Sequence, residues 1–190
     1  MNIILGMYIT MMPVILAGIL NMVFVKTKFY KKWKYPIDAG CCLSDGKRIF
    51  GDNKTYIGFF SMIVISIITT ICWGAFCRFA GLESQNELYL IFPNKIWFNA
   101  SVGAYFGLSY MLFELPNSFV KRRIDIEPGK TENKLFFVID QIDSLFGVML
   151  ILFVTSEISV WKYFFYILVG GFTHIAVNLT LYKLKIRRNL

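Results

Sequence analysis

Asp140 and Asp143 are two acidic residues inside an apolar run, Leu135-Phe-Phe-Val-Ile-Asp-Gln-Ile-Asp-Ser-Leu-Phe-Gly147. An acidic residue near the centre of a membrane helix costs about 2.5–3.5 kcal/mol. Residues three apart share one helix face, where two carboxylates repel each other unless a cation lies between them. A divalent ion such as Mg²⁺, bound by carboxylates plus substrate phosphates, meets this need. The alternative is an interhelical salt bridge or a wet interfacial position. Gly147 on the same face leaves room for another helix.

A basic cluster follows the third apolar stretch, in Asn117-Ser-Phe-Val-Lys-Arg-Arg123. Such a cluster after a membrane helix is commonly a topology signal. Lys121, Arg122 and Arg123 nevertheless lie on the same predicted membrane face as the acidic pair. Guanidinium forks beside a metal held by carboxylates are what phosphoryl chemistry requires. Together with Glu114, which ends the stretch, the cluster predicts a site for a phosphorylated ligand.

The loop before the second apolar stretch, residues 38–55, mixes glycines, acidic residues and cations. Its Asp-Gly and Gly-Asp turns, and Thr55 directly before a helix, are a pattern from which backbone N–H groups could cradle a phosphate. It is not a P-loop, because Asp52 and Asn53 occupy the positions that require Lys and Ser or Thr. A solvated positive loop without a ligand is the alternative.

The last apolar stretch carries His174 and Asn178 at i and i+4, on one helix face. A lone His on an apolar helix is usually a hydrogen-bonded packing residue. Direct participation of His174 in chemistry remains the alternative, and Asn178 is expected to form a hydrogen bond between helices.

These residues must be positioned by membrane helices. Of the 190 residues, 56% are hydrophobic and 17% charged. This apolar fraction exceeds the roughly 45–50% of soluble domains. Each apolar stretch has about the 20 residues that a helix needs to span a bilayer. The sequence predicts one integral-membrane domain, residues 1–190, an all-α polytopic helical bundle of about five transmembrane helices with a polar site on its cytoplasmic face. The predicted spans are 3–25, 56–77, 96–116, 135–155 and 161–182, with cytoplasmic loops 26–55 and 117–134.

The basic residues predict the orientation in the membrane. All of the 20 Lys and Arg residues except Arg78, Lys95 and Lys162 follow the first, third and fifth spans. Because cytoplasmic loops are rich in Lys and Arg, we expect the N-terminus outside the cell membrane and the C-terminus in the cytoplasm. The net charge of +8 indicates an anionic partner. Nucleic acid is not expected, because no binding motif accompanies the charge. Five spans are few to enclose a lipid-accessible cavity, so a homodimer is expected.

Four segments resemble one known family. The loop segments Pro36-Ile-Asp38 and Asp45-Gly-Lys-Arg-Ile-Phe-Gly-Asp-Asn-Lys-Thr-Tyr-Ile-Gly58 resemble the first loop of CDP-archaeol synthases, which belong with the phosphatidate cytidylyltransferases. Ser118-Phe-Val-Lys-Arg-Arg123, Asp140-Gln-Ile-Asp143 and His174-Ile-Ala-Val-Asn178-Leu-Thr-Leu-Tyr182 are similar to that family's later segments. The resemblance covers almost the whole chain, in order.

The resemblance implies a CTP:lipid-phosphate cytidylyltransferase. Such an enzyme transfers the cytidylyl group of CTP to a membrane lipid phosphate, requires Mg²⁺, releases pyrophosphate and leaves a CDP-activated lipid. In the archaeal family the lipid is an unsaturated dialkyl-ether glycerol phosphate.

The resemblance also implies roles for single residues. Asp140 and Asp143 become metal ligands and act in catalysis with Lys121 and Arg122. Glu114 stands where the family has Asp, which makes it a candidate third metal ligand with a longer arm. The residues implied in nucleotide or phosphate binding are Asp45, Arg48, Asp52, Lys54, Thr55, Ser118 and Arg123.

Two other function classes remain as alternatives. A CDP-alcohol phosphotransferase also uses intramembrane acids and Mg²⁺, but its signature begins Asp-Gly-x-x-Ala-Arg, whereas Asp45-Gly46 is followed by Lys-Arg-Ile-Phe. A small transporter or channel would use the acids to line a pathway.

Overall fold

The computed structural model describes residues 2–128 and 134–184, apart from the side chain of Lys134. These residues form six α-helices and two short 3-10 helices, and no strand occurs among them. The α-helices are α1 Ile3–Phe24, α2 Lys28–Trp33, α3 Tyr56–Phe79, α4 Ile96–Arg123, α5 Lys134–Thr155 and α6 Val160–Lys183, and the 3-10 helices are Glu83–Gln85 and Glu87–Tyr89. The predicted all-α helical bundle is confirmed.

Four of the described helices, α1, α3, α5 and α6, are long and apolar enough to cross a membrane. They expose large apolar side chains such as Phe60, Ile68 and Phe172, which is typical of faces that contact lipid. The other predicted span, α4, is less apolar but is the longest helix, with 28 residues and a length of about 42 Å. The count of about five spans therefore holds if α4 is included.

Helix α4 lies at the centre of the bundle. It packs along α3 on one side and α5 on the other, while α1 lies against α3 and α6 against α5. The main apolar core joins Val102 and Phe106 of α4 to residues of α1, α5 and α6. Because α4 packs between α3 and α5, polar residues such as Asn99 and Lys121 are buried inside protein and not in lipid.

Gly147 marks a close approach of α5 to α4. A Cβ atom at Gly147 would lie 2.6 Å from the backbone oxygen of Ser109 and 2.6 Å from Cδ2 of Phe113. No larger residue fits without moving one of the two helices. The prediction that Gly147 admits a neighbouring helix is thus confirmed, and the close approach brings the polar part of α4 against the acidic pair.

The third predicted span ends later than expected. We predicted an end at Pro116 and a loop from residue 117, but α4 continues to Arg123. A proline inside a helix costs about 3 kcal/mol through the lost hydrogen bond and steric clash. Side chains beyond Pro116 form hydrogen bonds to α5 and to the first loop, which offset this cost. The described part of the following loop ends at residue 128, and residues 129–133 and the basic tail after 184 lie outside the described residues.

The first predicted loop, residues 26–55, contains an ordered hairpin-like segment. Helix α2 occupies its start, and two isolated antiparallel bridges, Pro36 with Thr55 and Cys42 with Arg48, close the remainder. The two bridges set the path of the chain on which the candidate phosphate-binding residues lie.

The opposite end of the bundle is closed by the segment between α3 and α4. Glu87 in this segment is buried and accepts hydrogen bonds from Nζ of Lys162 at 2.8 Å and from the hydroxyl of Tyr166 at 2.9 Å. A buried carboxylate with two donors is satisfied, so this end has a structural role.

Candidate active site

The acidic pair on α5 faces Asn117 on α4. Nδ2 of Asn117 donates to Oδ1 of Asp140 at 2.6 Å and to Oδ2 of Asp143 at 2.7 Å. One amide nitrogen therefore lies between the two carboxylates, where its positive end reduces their repulsion. Oδ1 of Asn117 is itself buried and has no hydrogen-bond partner among the described residues.

Lys121, one helical turn beyond Asn117, pairs with Asp140. Its Nζ lies 2.6 Å from Oδ1 of Asp140, and the residue is only 8% exposed. The interhelical salt bridge that the sequence left open as an alternative is thus present at Asp140. Within the described residues Asp143 forms no ion pair, and its other hydrogen bond comes from the backbone N–H of Ser144. The pair is held from α4 by one charged and one neutral donor.

An open cavity of about 200 Å³ lies beside the pair, between the first loop, α4, α5 and α6. Acidic, basic and amide side chains all face it. Its polar lining consists of Asn53, Lys54, Glu114, Asn117, Ser118, Lys121, Arg122, Asp140, Asp143, His174 and Asn178. Most of the residues that the sequence singled out are therefore brought together around one space.

Adjacent arginines at the end of α4 have different surroundings. The Nε atoms of both arginines are buried without a hydrogen-bond partner among the described residues, but only Arg122 lines the cavity. Arg123 instead donates from Nη1 to both carboxylate oxygens of Asp45, at 3.0 and 2.9 Å, and from Nη2 to the backbone oxygen of Arg48. Arg122 faces the cavity, whereas the guanidinium of Arg123 ties the first loop to α4.

Glu114 and Lys54 form an ion pair across the same cavity. Glu114 belongs to α4 and Lys54 to the end of the first loop. The Glu114 carboxylate is thus engaged with the Lys54 ammonium group, and its role as a metal ligand stays a prediction. Thr55, next to Lys54, caps α3: its Oγ1 accepts from the N–H of Gly58 at 3.2 Å.

Asp38 organises the first loop, and sequence reasoning did not select it as a site residue. Its buried carboxylate binds Nη2 of Arg48 at 2.6 Å and accepts from the N–H groups of Phe50 and Gly51, each at 2.9 Å. Burial alone would raise the pKa of this carboxyl, but the Arg48 guanidinium and the backbone N–H groups hold the pKa well below its usual range. Arg48 also pairs with Asp52 at 3.0 Å.

Five of the predicted nucleotide- or phosphate-binding residues do not line the cavity: Asp45, Arg48, Asp52, Thr55 and Arg123. Apart from the cap Thr55, they form ion pairs that brace the loop. The loop is further tied to α4 by Lys47, whose Nζ donates to the backbone oxygen of Arg123 at 2.8 Å and to Asp125 at 2.7 Å. A lysine ammonium group can donate hydrogen bonds to the last carbonyl oxygens of a helix, which have no partner within the helix. The loop side chains therefore set the position of Lys54.

His174 and Asn178 of α6 both contact Gln141, which lies between the two acidic residues in the chain. Nδ1 of His174 is 3.0 Å from the backbone oxygen of Gln141, and Nδ2 of Asn178 donates to Oε1 of Gln141 at 2.8 Å. The predicted hydrogen bond between helices through Asn178 is confirmed. Gln141 was missed because a neutral amide in an apolar run carries no charge that demands a partner.

The residues present fit a hard divalent cation. The described residues contain no group of three His, Cys, Asp or Glu side chains that could hold a metal. Two carboxylate oxygens nevertheless converge on one amide nitrogen of Asn117, and the other end of the same amide carries an orphaned oxygen, Oδ1. Oxygen donors are the ligands of Mg²⁺, which commonly takes one or two carboxylates and completes its shell with water and phosphate.

The comparison with known protein families decides the classification. A family model described as CarS-like, CDP-archaeol synthase, matches residues 1–189. The chain belongs to this family. Its relatives include the CDP-archaeol synthase of Pyrobaculum aerophilum, 31% identical over 83% of this chain and 82% of the relative, and that of Archaeoglobus fulgidus, 28% identical over 80% and 82%.

A solved structure agrees with this classification at the level of the fold. An intramembrane enzyme of archaeal membrane lipid biosynthesis aligns with a TM-score of 0.64 and 21% identity, over 90% of this chain and 92% of that one. The apolar helices described above make this CDP-archaeol synthase family member an integral membrane protein.

Proposed function

We propose that this CDP-archaeol synthase family member is a Mg²⁺-dependent CTP:lipid-phosphate cytidylyltransferase. A phosphate oxygen of the lipid attacks the α-phosphorus of CTP, the bond from that phosphorus to the bridging oxygen of the β-phosphate breaks, and pyrophosphate leaves. The products are a CDP-lipid and pyrophosphate. No side-chain nucleophile is needed, because the lipid phosphate is the nucleophile.

The observation that carries the proposal is the composition of the cavity. Lys54, Lys121 and Arg122 face it from the first loop and from α4, and Asp140 and Asp143 face it from α5. Two polyanions must meet in this reaction, so most of the work is neutralising and orienting phosphates. The cations would bind phosphate oxygens, and Arg122 would offer a bidentate fork.

The acidic pair would hold the metal ion. Mg²⁺, when bound, supplies charge neutralisation at the phosphates. Asp140 and Asp143 would hold it, and release of Lys121 from Asp140 would make that ammonium group available to a phosphate. The ion pair seen between these two residues then keeps both groups ordered before substrates bind.

An apolar groove beside the polar cavity supports a lipid substrate. The groove is lined by α1, α5, α6 and Tyr110 of α4, and it shares Met22, Tyr110 and His174 with the polar cavity. A lipid phosphate would place its headgroup among the cations and its chains along the groove. The names of the relatives favour an ether-linked archaeal lipid over a diacyl lipid.

We also propose that the cavity opens to the cytoplasm and that the protein forms a homodimer. CTP is a cytoplasmic nucleotide, so the cavity must open on the side to which the basic loops point.

The test is CDP-lipid formation by the purified protein. The protein is incubated with CTP, Mg²⁺ and a panel of lipid phosphates with ether or ester linkages, and parallel reactions contain ATP, GTP or UTP. We expect a CDP-lipid from the unsaturated dialkyl-ether substrate, only with CTP and Mg²⁺. A folded preparation that forms no CDP-lipid from any substrate would contradict the proposal. Ion or proton flux through proteoliposomes instead would support the transporter alternative.

A further inference from the structure

Asn117 occupies the place between two carboxylates that a cation would be expected to take. Its Nδ2 is 2.6 Å from Asp140 Oδ1 and 2.7 Å from Asp143 Oδ2. Its Oδ1 is buried and unpaired among the described residues. A buried polar atom without a partner costs about 1–3 kcal/mol, so an amide carbonyl left unpaired beside an acidic pair calls for an explanation.

The two ends of an amide exchange places by a half-turn about the Cβ–Cγ bond, a torsion with a broad and roughly two-fold preference. Without a cation, the nitrogen end faces the carboxylates because an oxygen there would be repelled. With a divalent cation between the carboxylates, the oxygen end becomes favourable, since hard cations bind amide oxygens as well as carboxylates. The orientation of Asn117 is thus coupled to the ion.

We propose that Asn117 is a third oxygen ligand of the divalent cation held by Asp140 and Asp143, and that its amide turns over when the ion binds. The inference rests on the proposed function for the presence of the cation. The ligands come from α4 and α5, so the ion ties together the two helices that meet at Gly147. The role assigned to Asn117 is therefore that of a ligand, in addition to its hydrogen bonds to the two carboxylates.

Mn²⁺ binding without nucleotide tests this assignment, because Mn²⁺ accepts the same oxygen ligands. The wild-type protein, Asn117→Asp and Asn117→Leu are titrated with Mn²⁺, and the free ion is measured by electron paramagnetic resonance. Asn117→Asp keeps an oxygen donor and is expected to bind Mn²⁺ at least as tightly as the wild type. Asn117→Leu keeps the shape without a donor and is expected to bind about tenfold more weakly or worse.

Asn178→Asp is the matched control. Asn178 lines the same cavity and also has a buried, unpaired Oδ1, but its Nδ2 donates to Gln141 and not to the acidic pair. Its substitution should leave Mn²⁺ affinity unchanged. A gain in affinity equal to that of Asn117→Asp would overturn the assignment, because any added carboxylate would then suffice.

Two further results would overturn the inference. One is a loss of Mn²⁺ affinity in Asn117→Asp as large as in Asn117→Leu, as expected if the amide acts only as a donor. The other is wild-type affinity in Asn117→Leu. Thermal unfolding without metal checks that each variant is folded, and Asn117→Ala replaces Asn117→Leu if the latter does not fold.

The outcome is separable from that of the proposed function. No Mn²⁺ binding by the folded wild type overturns the ligand assignment, while CDP-lipid formation with Mg²⁺ and CTP would still support the function. Mn²⁺ binding that follows the expected order, with no CDP-lipid formed, supports the assignment and overturns the function.

Discussion

At the scale of single residues, Arg122 and Arg123 differ in what their guanidinium groups contact. Arg122 lines the cavity, whereas Arg123 does not and donates from Nη1 to the Asp45 carboxylate. Lysine cannot reproduce a planar fork. We expect Arg122→Lys to weaken CTP binding about tenfold, or about 1.4 kcal/mol, measured by calorimetric titration.

Arg123→Lys is the matched control for this prediction. It should leave CTP affinity close to the wild-type value and lower thermal stability, because the contacts of Arg123 join the first loop to α4. A larger loss of CTP affinity in Arg123→Lys than in Arg122→Lys would show that the cavity is not the nucleotide site.

Asp143 carries a second prediction at this scale. It faces the cavity and forms no ion pair within the described part of the chain, so its charge is available to a metal. We expect Asp143→Asn to lower kcat/KM for CDP-lipid formation at least about 100-fold, since loss even of groups that support metal ligands costs 10–100-fold. Asp125→Asn, at an exposed residue that pairs with Lys47, should retain activity. Equal activity of the two variants would remove Asp143 from the site.

The sequence singled out the charged residues that line the cavity better than the neutral ones. Asp140 and Asp143 were predicted because a charge in an apolar segment is costly and requires a partner. Lys121 was predicted because it belongs to a basic cluster on the same predicted membrane face. Asn117 and Gln141 carry no such cost, and their roles depend on α4 and α6 lying against α5. That distance between helices cannot be inferred from local spacing.

At the scale of the helices, the contact between α4 and α5 determines the geometry of the site. A Cβ at Gly147 would overlap Ser109 and Phe113 of α4, and overpacking of this kind costs about 1–3 kcal/mol. We expect Gly147→Ala to lower the thermal unfolding temperature and to lower activity, because it separates Asn117 from the acidic pair.

Gly18→Ala provides the comparison for Gly147→Ala. Gly18 also lies within a membrane helix, but a Cβ there would meet nothing within 4 Å. Alanine is favoured over glycine inside a helix by about 0.5–1 kcal/mol, so the unfolding temperature should stay the same or rise. A drop as large as that of Gly147→Ala would mean that close packing at Gly147 is not the cause.

The first loop carries a prediction about pH. The pKa of Asp38 is held well below its usual range, so its contribution to stability is complete above the usual value of about 3.9 and is lost only as the pH falls through the lower, folded value. We expect the amides of Phe50 and Gly51 to stay protected from hydrogen exchange near pH 4. Asp38→Asn should lose this protection at every pH.

Asp52→Asn serves as the control for the loop. Asp52 pairs with the same arginine, Arg48, but is largely exposed. The N–H groups of Phe50 and Gly51 donate to Asp38 and not to Asp52. It should keep the exchange protection of the wild type. Loss of protection near pH 4 in the wild-type protein would contradict the role given to the Asp38 carboxylate.

The ends of helices were harder to predict than their positions. Hydropathy located α1, α3, α5 and α6, but it placed the end of α4 at Pro116, seven residues early. The extension follows from contacts with α5 and the first loop. The low helix propensity of proline, from which the end was predicted, takes no account of such contacts.

At the scale of the whole molecule, hydropathy and charge together predict the orientation of the protein in the membrane. Cys41 and Cys42 are exposed in the first loop, whereas Cys72 is exposed within the apolar helix α3 and Cys77 is buried. We expect a membrane-impermeant maleimide to label inside-out vesicles and not intact cells. The double variant Cys41→Ser, Cys42→Ser should lose the label. Labelling of Cys41 and Cys42 in intact cells would reverse the orientation.

The fold as a whole was predictable from its sequence because membrane helices are long and apolar, and each satisfies its own backbone hydrogen bonds. The assembly of the site was only partly predictable. The cavity joins the first loop, α4, α5 and α6, and the relative placement of these elements depends on packing at positions such as Gly147.

The fate of each phosphorus of CTP tests the central claim most directly. CTP that carries different isotopes on its α- and γ-phosphorus is incubated with the protein, Mg²⁺ and the dialkyl-ether lipid phosphate, and the lipid and aqueous phases are counted separately. Cytidylyl transfer predicts the α label in the lipid phase and the γ label in aqueous pyrophosphate, in equal amounts. Transfer of the γ label to the lipid, or no label in the lipid, would contradict the account.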